Sequence, residues 1–225
     1  MNTPQSLAQQ SLMPSVFTPR QLARITGLSY VIVFFAAIFA NFGVLEALSK
    51  APVATVQTGG LFVRAGILAF LITVVFDVVI AWALQLLFEH HPLTLLSTLF
   101  RMMHAAIMGV AIFALPLALK AKTASSILQQ VDLFNTIWLI GLFFFGIHLL
   151  LLSQMLKQIR QFPLWIRFML GCAGLMYMVD TAAHFMLVNY SDYATVFLTL
   201  VALPSMLGEM SFALWLLFKG GQHNA

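Results

Sequence analysis

Charge is what this sequence has least of. Eleven Lys and Arg and seven Asp and Glu make up 8% of the 225 residues, against roughly 25% in an ordinary soluble domain. That is too little to cover a water-facing surface, and it excludes a soluble globular protein. Cysteine is nearly absent too. With Cys172 alone, an intramolecular disulfide and a thiolate-held metal cluster are both excluded. The basic residues are scattered between apolar runs, with no basic tract and no base-stacking motif, so nucleic acid is not an expected partner. Ser97, Ser153 and Ser211 lack the glycine elbow of a serine nucleophile.

What remains is apolar: 61% of the chain is hydrophobic and the mean hydropathy is +0.97. A bilayer core asks for about 20 apolar residues per helix. Six segments exceed that, at 25–48, 61–88, 93–119, 133–156, 165–188 and 195–218. The expected fold class is therefore all-α, a polytopic transmembrane helical bundle of six spans with the lipid bilayer as its surroundings. The domain layout is a polar N-terminal segment over 1–20, one transmembrane domain over 21–220 and a short tail over 221–225. Thr18-Pro19-Arg20-Gln21 reads as a helix start, with Thr as N-cap, Pro at the first helical position and Gln three residues after the cap. The apolar stretch that follows is long enough to span and reads as a retained helix rather than a cleaved signal.

Orientation follows from Lys and Arg counted by side. Arg20, Arg24, Lys157, Arg160, Arg167 and Lys219 fall on the side of the termini, and Lys50, Arg64, Lys120 and Lys122 on the other. The bias places both termini in the cytoplasm. Trp82, Trp165 and Trp215 then belong to the cytoplasmic aromatic belt and Trp138 to the outer one.

Ionisable side chains inside a span cost about 2.5–3.5 kcal/mol each on the insertion scale, so they carry the most information. At 1.5 Å rise per residue, Arg101, His148 and Glu209 lie about 12–14 Å from the cytoplasmic helix ends, and Asp77 and His104 about 16 Å. Asp180 lies deeper and His184 nearer the outer face. Arg101 and His104 are spaced i,i+3, and Asp180 and His184 i,i+4, so each pair shares a helix face. The expectation is a buried polar site of Asp77, Arg101, His104, His148 and Glu209, with Asp180 just above it. Arg24 and His184 are more peripheral candidates. Pro116 and Pro204 are positioned to kink the third and sixth spans.

Several segments recur together: Ala23-Arg24-Ile25-Thr26-Gly27, Gly141 to His148 with its Phe143-Phe144-Phe145 run, Gly208-Glu209, Leu214-Trp215-Leu216-Leu217 and Lys219-Gly220. In order and spacing they resemble the bacterial membrane-protein family known as domain of unknown function four-three-eight-six, over residues 21–220. The resemblance implies a bacterial inner membrane and six helices, and supplies no activity. It also implies that Arg24, Asp77, Arg101, His148, Asp180 and Glu209 occupy positions where the family carries polar residues.

Three function classes stay open. Asp, Glu, His and Arg lining a bundle interior suit a proton relay or small-molecule or ion transport, for which so small a bundle calls for a homodimer. His104, His148 and His184 with Asp77, Asp180 and Glu209 offer nitrogen and oxygen ligands for a metal-dependent enzyme acting on a lipid-like substrate. Against it, no closely spaced His motif occurs within a span. The third class is a non-catalytic accessory protein whose polar cluster fixes packing. Haem held between His104 and His148 is a further arrangement their depth allows. No cofactor is clearly indicated.

Overall fold

The computed structural model describes residues 17–222. The polar segment expected over 1–20 thus lies, up to residue 16, outside the described residues, as does the tail from residue 223. Among the described residues there are seven helices: α1 (Pro19–Lys50), α2 (Pro52–Thr58), α3 (Gly60–Leu87), α4 (Thr94–Lys120), α5 (Ala124–Gln158), α6 (Leu164–Met186) and α7 (Tyr190–Phe218). All but the short α2 are long and apolar enough to cross a membrane, and the chain is a multi-pass membrane protein.

The helix ends follow local chemistry. Thr18 Oγ1 accepts from the Gln21 amide at 3.2 Å, and Gln21 Oε1 accepts from the Thr18 amide at 2.8 Å. This is the reciprocal capping box that satisfies two otherwise orphaned donors. The fourth span differs from expectation. Its helix starts at Ala124, capped by Thr123, nine residues before the expected 133. Ser125, Ser126, Gln129, Gln130 and Asp132 lower the hydropathy there without opposing helical backbone. Within α1 the backbone widens into π-helical turns over Phe39–Leu45. In α4 the regular helix is interrupted at Phe113, between Ile112 and Ala114, where Pro116 has no N–H to give to the carbonyl of Ile112.

Packing arranges the six long helices as a ring. α1 meets α3, α3 meets α4, α4 meets α5, α5 meets α6, α6 meets α7, and α7 returns to α1. The end that holds Pro19 and Phe218 is termed here the terminal end, and the opposite one the distal end. Two apolar cores fill the ring. The distal one, from α1, α3, α4 and α5, centres on Phe70, Leu115, Ile127 and Phe134. The one toward the terminal end, from α1, α3, α5, α6 and α7, contains Ile80, Leu149, Leu152, Leu170 and Phe212. The half-buried Trp138 packs on the distal core, its ring 5.1 Å from those of both Phe70 and Phe134.

The seam between α7 and α1 is closed by Arg20. Its guanidinium donates to the carbonyls of Gly220 and Leu217 at 2.7 Å, of Leu216 at 3.2 Å and of Phe218 at 3.3 Å. A cation there also meets the negative end of the helix dipole. Gly221, at φ 67°, turns the chain so closely onto Pro19 that a Cβ would lie 2.5 Å from the Pro19 carbonyl carbon. Arg20→Ala is expected to destabilise the protein by about 2 kcal/mol, since hydrogen bonds to a charged group are worth about 1.5–3 kcal/mol. Arg20→Lys, which has no planar fork, should recover only part. Thermal unfolding in detergent checks this, and unchanged unfolding of Arg20→Ala would refute the clasp.

Candidate functional site

One guanidinium gathers four helices. Arg101 lies on the buried stripe of α4 that includes Ser97 and His104, and it is 1% exposed. Its Nη2 donates to Asp77 Oδ1 of α3 at 2.5 Å. Nη1 donates to the Tyr30 hydroxyl of α1 at 2.7 Å and to His148 Nε2 of α5 at 3.1 Å. Its Cζ lies over the Tyr30 and Phe145 rings, 4.8 and 5.2 Å from their centroids, within range of cation–π attraction. Of the polar atoms on Arg101, only Nε has no partner. The layer lies between the two apolar cores, and Tyr30 and Phe145 join it to the one toward the terminal end.

This geometry fixes one histidine tautomer. A guanidinium N–H can only donate, so His148 Nε2 accepts and the ring proton resides on Nδ1. Nδ1 donates to the Ser97 carbonyl at 3.0 Å, with Ser97 Oγ 2.9 Å away. His104 donates from Nδ1 to the Gly141 carbonyl at 3.0 Å, and its Nε2 stands 3.5 Å from Asp77 Oδ2. Asp77 thus faces two side chains of the same helix, with Arg101 as its counter-charge, and a buried charge requires such a partner.

Glu209 stands apart from this network. At about 100° per residue, it follows Gly208, whose position abuts Met169 and Leu170 of α6, and precedes Ala213, whose carbonyl abuts Gly27 of α1. Its side chain therefore points into the wedge between α6 and α1. It is close enough to interact electrostatically with Arg101, Asp77, Tyr30 and Tyr177. It is half-buried and makes no hydrogen bond or ion pair with any described residue.

The other candidates are elsewhere. Asp180 accepts from the Tyr190 hydroxyl at 2.6 Å, and the His184 ring packs 4.6 Å from that of Tyr190. Both therefore serve the α6–α7 hairpin near its distal end, and Asp180 does not cap the Arg101 layer as expected. Arg24 is exposed at the terminal end of α1. The metal-ligand set does not assemble. His104 and His148 have nitrogens bonded to protein, His184 and Asp180 lie with Tyr190, and among the described residues no group of three or more potential ligands could hold a metal ion. The haem arrangement fails for the same reason, because axial ligation needs a free nitrogen on each ring.

Sequence reasoning passed over Tyr30, Ser97 and Tyr177. Tyr30 had a usable signal, since a tyrosine hydroxyl well inside a span seeks a partner. A cavity of about 360 Å³ opens at the terminal end, lined in part by Glu89, His90, His91, Trp215 and Lys219, and no residue of the Arg101 layer lines it.

Comparison with known proteins gives a family. The family described as Domain of unknown function (DUF4386) matches residues 25–220. The chain belongs to this family. It is also similar to a protein of Archaeoglobus fulgidus described as "Uncharacterized protein", 28% identical over 156 residues, which cover 68% of this chain and 83% of that protein. No solved structure matches the chain.

Proposed function

We propose that this member of the DUF4386 family works in proton relay or proton-coupled transport of a small molecule or ion, in a bacterial inner membrane with both termini cytoplasmic. Glu209 is the exchanging carboxyl and the Arg101–Asp77 layer its fixed counter-charge. The observation that carries the reading is Glu209 itself: a half-buried carboxyl inside a span, with no hydrogen-bond or ion-pair partner among the described residues, in the electrostatic field of the paired Arg101 guanidinium. Arg101 already balances Asp77, so a second carboxylate in its field is neutralised only by a proton or another cation. Burying an ionisable group without a partner is costly and marks a pathway more often than a scaffold. Ser97, His148, Arg101 and Asp77 are all committed to one another, which suits a rigid frame.

The test is reconstitution of the full chain in liposomes carrying a pH-sensitive dye. An imposed pH gradient should decay faster than in protein-free liposomes, and Glu209→Gln, close in shape but unable to ionise, should return the decay to the protein-free rate. Equal decay for wild type and Glu209→Gln would overturn the reading, as would a wild type no faster than empty liposomes.

A further inference from the structure

Outside the Arg101 layer, the groove where α5 and α6 part toward the terminal end carries a second chemistry. Higher up, these helices touch backbone to backbone at Gly146 and Gly174. Three residues earlier on α6 the approach is looser: a Cβ on Gly171 would make only ordinary contact, with Ser153 Oγ at 3.5 Å. The depression left between them measures about 330 Å³. Its floor and walls are Gly171, Cys172, Leu175 and Phe168, and its mouth carries Lys157 and Arg167. Phe168 and Leu175 are 60% and 49% exposed, so the groove opens sideways.

Charge is one-sided here. No acidic residue lines the groove, and neither Lys157 nor Arg167 forms an ion pair with any described residue. Lys157 is in the last turn of α5 and Arg167 in the first turn of α6, so both cations stand at helix ends, at headgroup level. From Arg167 to Leu175 the groove descends about 12 Å along the helix, close to the roughly 15 Å hydrocarbon depth of one leaflet. Basic clefts between membrane helices at this level recognise anionic headgroups, and a guanidinium matches a phosphate with two parallel hydrogen bonds.

We propose that this groove binds one anionic phospholipid, its phosphate held by Lys157 and Arg167 and one acyl chain laid over Gly171 and Cys172 toward Leu175. The occupant is a lipid rather than a free anion because the larger part of the groove is apolar and faces the bilayer.

Native mass spectrometry of the full chain, released from detergent with added phosphatidylglycerol or phosphatidylcholine, tests this. One phosphatidylglycerol per chain should be retained about tenfold more tightly than phosphatidylcholine, and Lys157→Gln with Arg167→Gln should abolish the preference. Cys172, the single thiol, locates the lipid: its alkylation by N-ethylmaleimide should slow with phosphatidylglycerol and not with inorganic phosphate. Equal retention of the two lipids, an unchanged preference in the double variant, or protection by phosphate alone would each overturn the proposal. The wild-type lipid comparison stands even if the double variant is poorly produced, and none of these results bears on Glu209.

Discussion

Arg101→Ala is expected to cost about 3–5 kcal/mol, because it leaves Asp77 as an uncompensated buried charge, and it also removes the donors to Tyr30 and His148. The protein should unfold far earlier in detergent, or fail to accumulate. His148→Ala should cost less, about 1–3 kcal/mol, the range for leaving buried hydrogen-bonding groups unpaired. The decisive comparison is the double replacement Asp77→Leu with Arg101→Met. Replacing both partners by apolar groups of similar volume is often neutral, so the pair should recover much of what Arg101→Ala loses. If the double replacement unfolds as early as Arg101→Ala, the loss arises from lost packing or lost hydrogen bonds to Tyr30 and His148. If Arg101→Ala is no worse than His148→Ala, the ion pair does not anchor the layer.

Gly174→Val is expected to be the next most damaging change. A Cβ at Gly174 would lie 2.6 Å from the Gly146 carbonyl oxygen and 3.0 Å from the Leu150 amide nitrogen. These are backbone atoms, so no side-chain rotation relieves the clash, and α5 must move off α6. Overpacking of this kind costs about 1–3 kcal/mol. Close backbone approach through small residues is also how membrane helices gain contact where no hydrophobic driving force exists between them. Gly109→Ala is the control. A Cβ there meets nothing within 4 Å, so it should be neutral or raise stability by about 0.5–1 kcal/mol, the ordinary gain over a helical glycine. Thermal unfolding of both variants separates the cases, and equal behaviour would mean that the α5–α6 approach is not a fixed contact.

Depth was legible in the sequence, and rotation was not. Helical rise alone puts Asp77, Arg101, His104 and His148 near one level, and the structure brings those four together. Asp180 and Glu209 show where this runs out. The side on which a residue faces depends on which neighbours its helix meets, and hydropathy does not encode the ring order. Asp180 turns to Tyr190 across its own hairpin, and Glu209 points between α6 and α1 without reaching a donor. Tyr30 and Ser97 complete the Arg101 layer, yet a hydroxyl in an apolar run reads as an ordinary span residue until its partner is known. At Thr18 and Gln21 the reverse holds. The capping box is local, so four residues specify it without tertiary context.

The layered interior has an electrical consequence. A charge that crosses the whole transmembrane potential gains or loses about 2.3 kcal/mol per 100 mV. Asp77 and Arg101 carry opposite charges side by side at 2.5 Å, so their sum does no work in that field and the pair can be buried at any depth without making the fold sensitive to voltage. A proton exchanged at Glu209, as proposed above, would have no such cancellation. Nine residues from the last residue of α7, or about 13–14 Å in, Glu209 lies close to halfway across the roughly 30 Å core. Energising the membrane by 100 mV would then bias its occupancy by about 1 kcal/mol, roughly fivefold, while leaving the Arg101 layer untouched.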